Sequence, residues 1–417
     1  MAESAQFGGI GRAWRSRNFR FYWLGNAVSI LGFWVHVLAM GWIVWQLTKS
    51  ELWLGLIAMT ARMPAVFLSP IAGAVADRFG LRRVAVVALA ISATNSLLLY
   101  LSVQAGFINV YWILAFAVVQ GASVSFDLPA RQALMPSLVH ERGDLSAAIA
   151  LNTTTFQAGA FVGPMIFGAL VAYTDLPVST AFLINSISFF FFTLMMLLLR
   201  IEREPVTGMK AGDMLADIVE GVRYVRSQRG ILAIMVSMFF AHLLIRSYID
   251  LLPAFADKVF GFHEDPTGLA YLQWASGAGA LIGGVVMAAR GRTSGLTRLL
   301  IAGLLAGYLA YILFAATSLF ALGIACMFLT GLAVVVVAVS SQSLIQTAVD
   351  QGMRGRVISL TTGMAIGVPS LGSLVLGWFA TILGLQLCVI VSLTLGLVYW
   401  LWSVRYLATH ATTLETP

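Results

Sequence analysis

The chain is 417 residues long, 59% hydrophobic and only 10% charged, with a mean hydropathy of +0.90. A soluble chain of this length carries about a quarter Asp, Glu, Lys and Arg, so a water-soluble globular protein is excluded. The two cysteines, Cys326 and Cys388, lie in apolar runs, which excludes a disulfide scaffold and a cysteine metal site, and the formal charge of +7 has to be read against a bilayer.

A membrane span needs roughly 20 mostly apolar residues at 1.5 Å rise each. Twelve stretches qualify in chain order: 19–45, 52–76, 84–104, 110–126, 146–173, 178–199, 230–256, 267–289, 296–317, 319–339, 356–383 and 385–406. Helices are the expected form, because a barrel would show short alternating segments. The first run is too long for a secretory signal and lacks a small-residue cleavage site. Of the 25 lysines and arginines, all but Lys49, Arg62, Arg246 and Lys258 fall at the amino terminus, at the carboxyl end or in every second loop. That asymmetry predicts both termini on the cytoplasmic side of an inner membrane and makes the basic charge a matter of topology. No nucleic-acid partner is implied. Lys49 and Lys258 belong to outer loops, and Arg62 and Arg246 fall within spans.

The longest connection, 200–229, divides the spans into six and six, predicting bundles at 1–199 and 230–417. In the connection, Leu215, Ile218, Val222 and Val225 recur at helical spacing with Asp213, Asp217, Glu220 and Arg226 between them. The pattern fits an amphipathic helix at the membrane surface and equally a solvated linker helix. The halves also align. Adding 210 carries Gly73 to Gly283, Gly121 to Gly331 and Gln132 to Gln342, and an offset of 209 carries Gly163 and Gly168 to Gly372 and Gly377. Parallel six-helix repeats on a linker describe a known transporter arrangement, with substrate held between the halves.

The loop after span two reads Gly73-Ala-Val-Ala-Asp77-Arg78-Phe-Gly80-Leu-Arg82-Arg83. It resembles the loop signature of the major facilitator superfamily, Gly-x-x-x-Asp-Arg-x-Gly-x-Arg-Arg. Gly73 suits close helix approach, Gly80 a turn, and the arginines an anionic face. The resemblance implies the twelve-helix fold of that superfamily, with Asp77 latching against the amino end of span eleven near Arg356. Met287 stands where the second half would repeat the aspartate. In span five, Gly159-x-x-x-Gly163-Pro164-x-x-x-Gly168 is similar to the superfamily's antiporter motif, with Phe167 in place of one glycine. The stretch from Asp127 to Pro136, with Arg354-Gly-Arg356, resembles the branch holding enterobactin-type siderophore exporters and macrolide efflux pumps. Ala117 replaces the arginine that many drug/proton antiporters carry before Gln120-Gly121.

Polar residues inside spans are expensive and line cavities or pair internally. His242, Arg246 and Asp250 are spaced i, i+4, i+8 and so share one helix stripe. The 210 offset pairs Arg246 with His36. Two readings stand: a cavity in which Arg62 and Arg246 meet an anionic or carbonyl-rich solute, or internal pairing, with Arg246 on Asp250 and Arg62 on backbone carbonyls. Trp34, Asn152, Gln157 and Gln273 complete the candidate cavity. His36, His242, Asp250 and Asp127 are the candidate proton carriers. Trp42 and Trp45, near a span end, read as interface anchors.

Other chemistries drop out. Gly277-Ala-Gly279 lies in a hydrophobic span without strand context, no P-loop exists, and His263-Glu264 lacks a second histidine. No enzyme, catalytic residue, metal or cofactor is expected. The expected function is monomeric secondary export of an amphipathic organic solute by alternating access with proton antiport. The same sequence also fits an uptake carrier or uniporter for an organic anion, and a non-transporting membrane sensor or scaffold.

Overall fold

The computed structural model describes residues 11–139, 142–201, 214–290 and 294–415. Arg203, Lys210, Asp213 and Arg292 fall outside them, as do the side chains of Arg142, Leu215 and Asp217. Among the described residues, twelve helical spans are long and apolar enough to cross a membrane. The first six are α1 (Arg17–Thr48), α2 (Glu51–Phe79), α3 (Leu81–Gln104), α4 (Val110–Leu134), α5 (Leu145–Tyr173) and α6 (Thr180–Leu197). A shorter helix α7 (Met214–Ser227) follows. The seventh span, Arg229–Lys258, contains α8 (Arg229–Ala241) and α9 (Leu252–Lys258). Then come α10 (Thr267–Arg290), α11 (Leu296–Ala316), α12 (Phe320–Ala348), α13 (Arg354–Leu383), α14 (Leu385–Thr409) and the short α15 (Ala411–Glu415).

Helices are forced here because hydrocarbon offers backbone N–H and C=O groups no partner outside their own segment. Two helices outrun the expected spans by about two turns or more. Hydropathy falls off at 126 and 339, yet α4 continues through Pro129 to Leu134 and α12 to Ala348. On the extension of α4 the buried Asp127 pairs with the half-buried Arg131. Between α2 and α3 the chain turns at Gly80 with φ +94°, a conformation that would strain any other residue.

The chain forms two compact units, Met1–Ile43 with Met63–Ala211, and Val44–Arg62 with Gly212–Pro417. The end of α1 and the first part of α2 therefore belong with the second unit rather than with the amino-terminal helices.

In the first unit Phe19, Tyr22, Leu81, Leu89, Phe192 and Met196 belong to one buried cluster. Arg82 donates to the carbonyls of Met196 (2.9 Å) and Leu197 (2.5 Å) at the end of α6. A cation there satisfies orphan carbonyls and meets the negative end of the helix dipole.

In the second unit α10 and α12 touch backbone to backbone. A Cβ at Gly279 would collide with the Phe328 carbonyl, and one at Gly331 with that of Ser276. The glycine run in α10 is thus a packing surface. Helix α7 docks on α13. Arg356 pairs with Glu220 at 3.2 Å, the Tyr224 hydroxyl donates to Asp350 at 3.0 Å, and Gly221 faces Leu360. Its apolar residues Ile218, Val219 and Val222 stay exposed while Val225 is buried.

Candidate functional site

The seventh span is not one continuous α-helix. His242–Arg246 is π-helical and Ser247–Leu251 is 3₁₀ before α9 resumes. Pro253 cannot donate to the carbonyl four residues back, so the ladder cannot run through this segment unbroken. The wider π turn, of a kind frequent at functional sites, also spoils the i, i+4, i+8 stripe. Arg246 and Asp250 consequently do not pair. Asp250 instead takes Arg62 two-pronged, Nη2 to Oδ1 and Nη1 to Oδ2, both at 2.7 Å. Ser373 Oγ donates to Oδ2 at 2.6 Å. Each half of the internal-pairing reading is thus corrected in its partner, since Arg62 bonds a carboxylate rather than backbone carbonyls.

Arg246 lies within electrostatic reach of Arg62 and Asp250, yet among the described residues it has no hydrogen bond or ion pair. With His242 it lines a hollow of about 40 Å³, walled by Ile245, Gly303, Gly307 and Ala338 among others. The His242 ring has no hydrogen-bond partner among the described residues either.

In the first unit a second polar set runs between α1, α4 and α5. Arg131 holds Asp127 at 2.6 Å, donates to Asn26 at 2.7 Å and sits over the Phe192 ring at 5.2 Å. Asn26 in turn donates to Asn152 at 2.6 Å, so Asn152 is engaged within the bundle. The other oxygen of Asp127 is buried with no partner among the described residues. His36 is buried at 6% exposure against Phe182, its Nδ1 also without one. Gln157 in the first unit and Gln273 in the second make no hydrogen bond to described residues.

Trp34 packs onto the antiporter-like motif. Gly163 lies so close to its Cβ that a methyl there would collide, while at Gly159 a methyl would strike Ile30 and come within 3.2 Å of the Trp34 ring. Pro164 lies inside α5 and Gly168 further along it. Gly159 and Gly163 are therefore a seat for α1. Trp34 belongs with Asn152 and Gln157 in the first unit, and Arg62 and Arg246 with Gln273 in the second.

In the loop signature, Arg82 is spent capping α6. Asp77 is half-buried at the end of α2, and Arg78 and Arg83 are exposed, Arg78 over the Phe79 ring. A Cβ at Gly73 would meet nothing within 4 Å among the described residues. The expected close approach is not seen at Gly73 among the described residues.

One cluster was missed by the sequence reading. Trp45 is fully buried rather than an interface anchor, and Trp42 is only 3% exposed. The Trp45 indole donates to Asp257 at 2.8 Å, and the Lys49 and Lys258 ammonium groups lie 5.7 and 5.1 Å from its ring centroid. Lys49 reaches Asp257 at 3.3 Å, Lys258 reaches Glu51 at 2.7 Å, and His263 Nδ1 lies 3.2 Å from Asp257. The available signal was that Lys49 and Lys258 are the two basic residues of the sparsely charged side.

No group of three or more His, Cys, Asp or Glu side chains among the described residues could hold a metal ion. Twelve spanning segments among the described residues, with charged groups paired inside them and a glycine-seated fifth span, are the architecture of a major facilitator superfamily transporter. Residues 12–412 match the family described as Transmembrane secretion effector, and the chain belongs to that family. It is 26% identical over 373 residues to the multidrug efflux pump Tap of Mycolicibacterium fortuitum, covering 87% of each chain. It is 24% identical over 363 residues to the enterobactin exporter EntS of Shigella boydii, covering 85% of each. The crystal structure of a bacterial homologue of the human lysosomal transporter Spinster shares the fold, with a TM-score of 0.70 at 13% identity over 96% of both chains.

Proposed function

We propose that this protein is a secondary exporter of a small amphipathic organic solute. On this reading it works as a monomer in the inner membrane, with both termini cytoplasmic, by alternating access coupled to proton entry. The observation that carries the reading is the pairing of charges within spans of a chain that can hardly accommodate them. A guanidinium at the centre of a bilayer costs about 3 kcal/mol or more, and Arg62 and Arg246 are kept there together with Asp250. The similarity to a multidrug pump and a siderophore exporter supports export of organic solutes in the same direction.

The halves 1–199 and 230–417 would rock about the solute, joined by 200–229. Asp127 and Asp250 each hold an arginine, so a proton arriving at either carboxylate releases its partner, and that rearrangement is the coupling step. His242 sits in the same hollow as Arg246 and can pass the proton, while His36 belongs to the amino-terminal half. The cluster around Trp45 draws on the first, second and seventh spans and serves as the outer gate. Asp77, with Arg78, Gly80, Arg82 and Arg83, serves the inner one.

Purified protein in liposomes with an imposed pH gradient tests this. Accelerated counter-flow of solute on acidifying the outer face is the expected result. Flux indifferent to the gradient counts against antiport and leaves the uniporter reading, and no flux of any solute leaves the sensor reading.

A further inference from the structure

We propose that the hollow holding Arg246 and His242 is the seat of an anionic head group, a carboxylate or comparable oxyanion, carried by the amphipathic solute. This rests on the transport reading and narrows its substrate class. An arginine stays charged under all physiological conditions. The second unit places two guanidinium groups, Arg62 and Arg246, beside the single carboxylate of Asp250. That carboxylate is committed on both oxygens, to Arg62 at 2.7 Å twice and to Ser373 at 2.6 Å. Arg246 is the surplus charge. It lies half-buried inside a spanning segment with no hydrogen bond or ion pair of its own among the described residues, where a charge is costly unless something completes it.

Size selects the group. A hollow of about 40 Å³ holds roughly three waters. That is room for the few atoms of a carboxylate and far too little for a whole drug-sized molecule, whose pocket is about 300 Å³ or larger. The head group enters and the apolar remainder stays outside. The walls provided by Ile245, Gly303, Gly307 and Ala338 offer a cation no partner, so a positively charged head group would meet only Arg246 and His242. A planar oxyanion also matches the guanidinium fork, whereas a spherical halide cannot bond it two-pronged. Arg62 takes no part, being held by Asp250.

The test uses the full chain in nanodiscs with pyrenebutyrate and its neutral counterpart pyrenebutanol, read by energy transfer from tryptophan to pyrene. Wild type is expected to bind the acid at least about tenfold more tightly, about 1.4 kcal/mol. Arg246→Gln should reduce that preference to within about twofold while leaving pyrenebutanol affinity unchanged. Should Arg246→Gln fail to fold, Ala338→Leu, which fills the hollow and keeps the guanidinium, should erase the same preference. Equal affinity for acid and alcohol in wild type, or a preference that survives both variants, overturns the proposal. Displacement of pyrenebutyrate by chloride as effective as by butyrate overturns the assignment to an oxyanion. Because binding needs no flux, the two readings fail separately. A chain that moves pyrenebutanol without acid preference keeps export and loses the head-group site. One that binds the acid through Arg246 but moves neither probe keeps the site and loses export.

Discussion

Arg62 and Asp250, 188 positions apart, meet side-on, with both guanidinium Nη atoms 2.7 Å from the carboxylate oxygens. Desolvating the two ions is offset by the two-pronged geometry and by Ser373, so either residue alone is worse than both or neither. Asp250→Ala is expected to destabilise the protein by about 3–5 kcal/mol, because it strands Arg62 beside Arg246. Arg62→Met combined with Asp250→Leu is expected to be close to neutral for stability and to lose the response of flux to a pH gradient. Thermal unfolding in nanodiscs checks the first part and proteoliposome flux the second. A double variant as unstable as Asp250→Ala would mean that the pair is needed for folding.

How far this was legible in the sequence depends on the interaction involved. The spans were readable because each is a local property of about 20 residues. The glycine seat for Trp34 was half readable: Gly159 and Gly163 announced close packing, but not the helix they would touch. The partner of Asp250 was not readable, because His242, Arg246 and Asp250 look like one stripe until the π turn rotates them apart. The burial of Trp45 was hidden for a similar reason, since Asp257 and Lys258 reach it from more than 200 positions away.

Glu415 gives a pH prediction. Its carboxylate accepts the backbone N–H groups of Gly295 (2.5 Å) and Thr297 (2.9 Å), capping the start of α11 from the far end of the chain. Burial alone would raise its pKa, but those two N–H groups, with the Thr297 side chain and Arg298, outweigh it and hold the group below the usual carboxylate range. The stabilisation is therefore complete above the ordinary carboxylate pKa and fades as pH falls through the lowered one. Glu415→Gln is expected to cost about 1 kcal/mol at pH 7 and little once the pH lies well below the lowered pKa. Parallel melting curves at the two pH values check it, and an equal loss at both would exclude a charge-dependent cap.

The Trp45 cluster predicts a charge-swap result. Glu51 and Lys258 pair at 2.7 Å with the carboxylate buried and the ammonium half-exposed, so the pair contributes about 1 kcal/mol, or a factor of about 5 in population. With Cys326 and Cys388 replaced by alanine, a cysteine at Leu54, which is 3% exposed, reports on this end. Lys258→Glu should speed its labelling by about fivefold, and adding Glu51→Lys should restore the original rate. Unchanged labelling in the single variant would remove the gate assignment.

The two motif glycines of α5 should respond differently to rescue, since their obstacles differ. At Gly159 an added methyl meets the branch methyl of Ile30, its Cγ2 atom, and only more distantly the Trp34 ring. At Gly163 it meets the Cβ of Trp34, an atom that every residue but glycine keeps. Each alanine forces overpacking, costing about 1–3 kcal/mol. Ile30→Ala removes the Cγ2 obstacle and is expected to recover most of the stability lost in Gly159→Ala. Trp34→Ala leaves the Cβ in place and should recover none of that lost in Gly163→Ala, whereas Trp34→Gly should recover part. Melting temperatures of the singles and pairs decide the matter. Rescue of Gly163→Ala by Trp34→Ala would mean that the indole, not the backbone approach of α1 to α5, sets the spacing of these two helices.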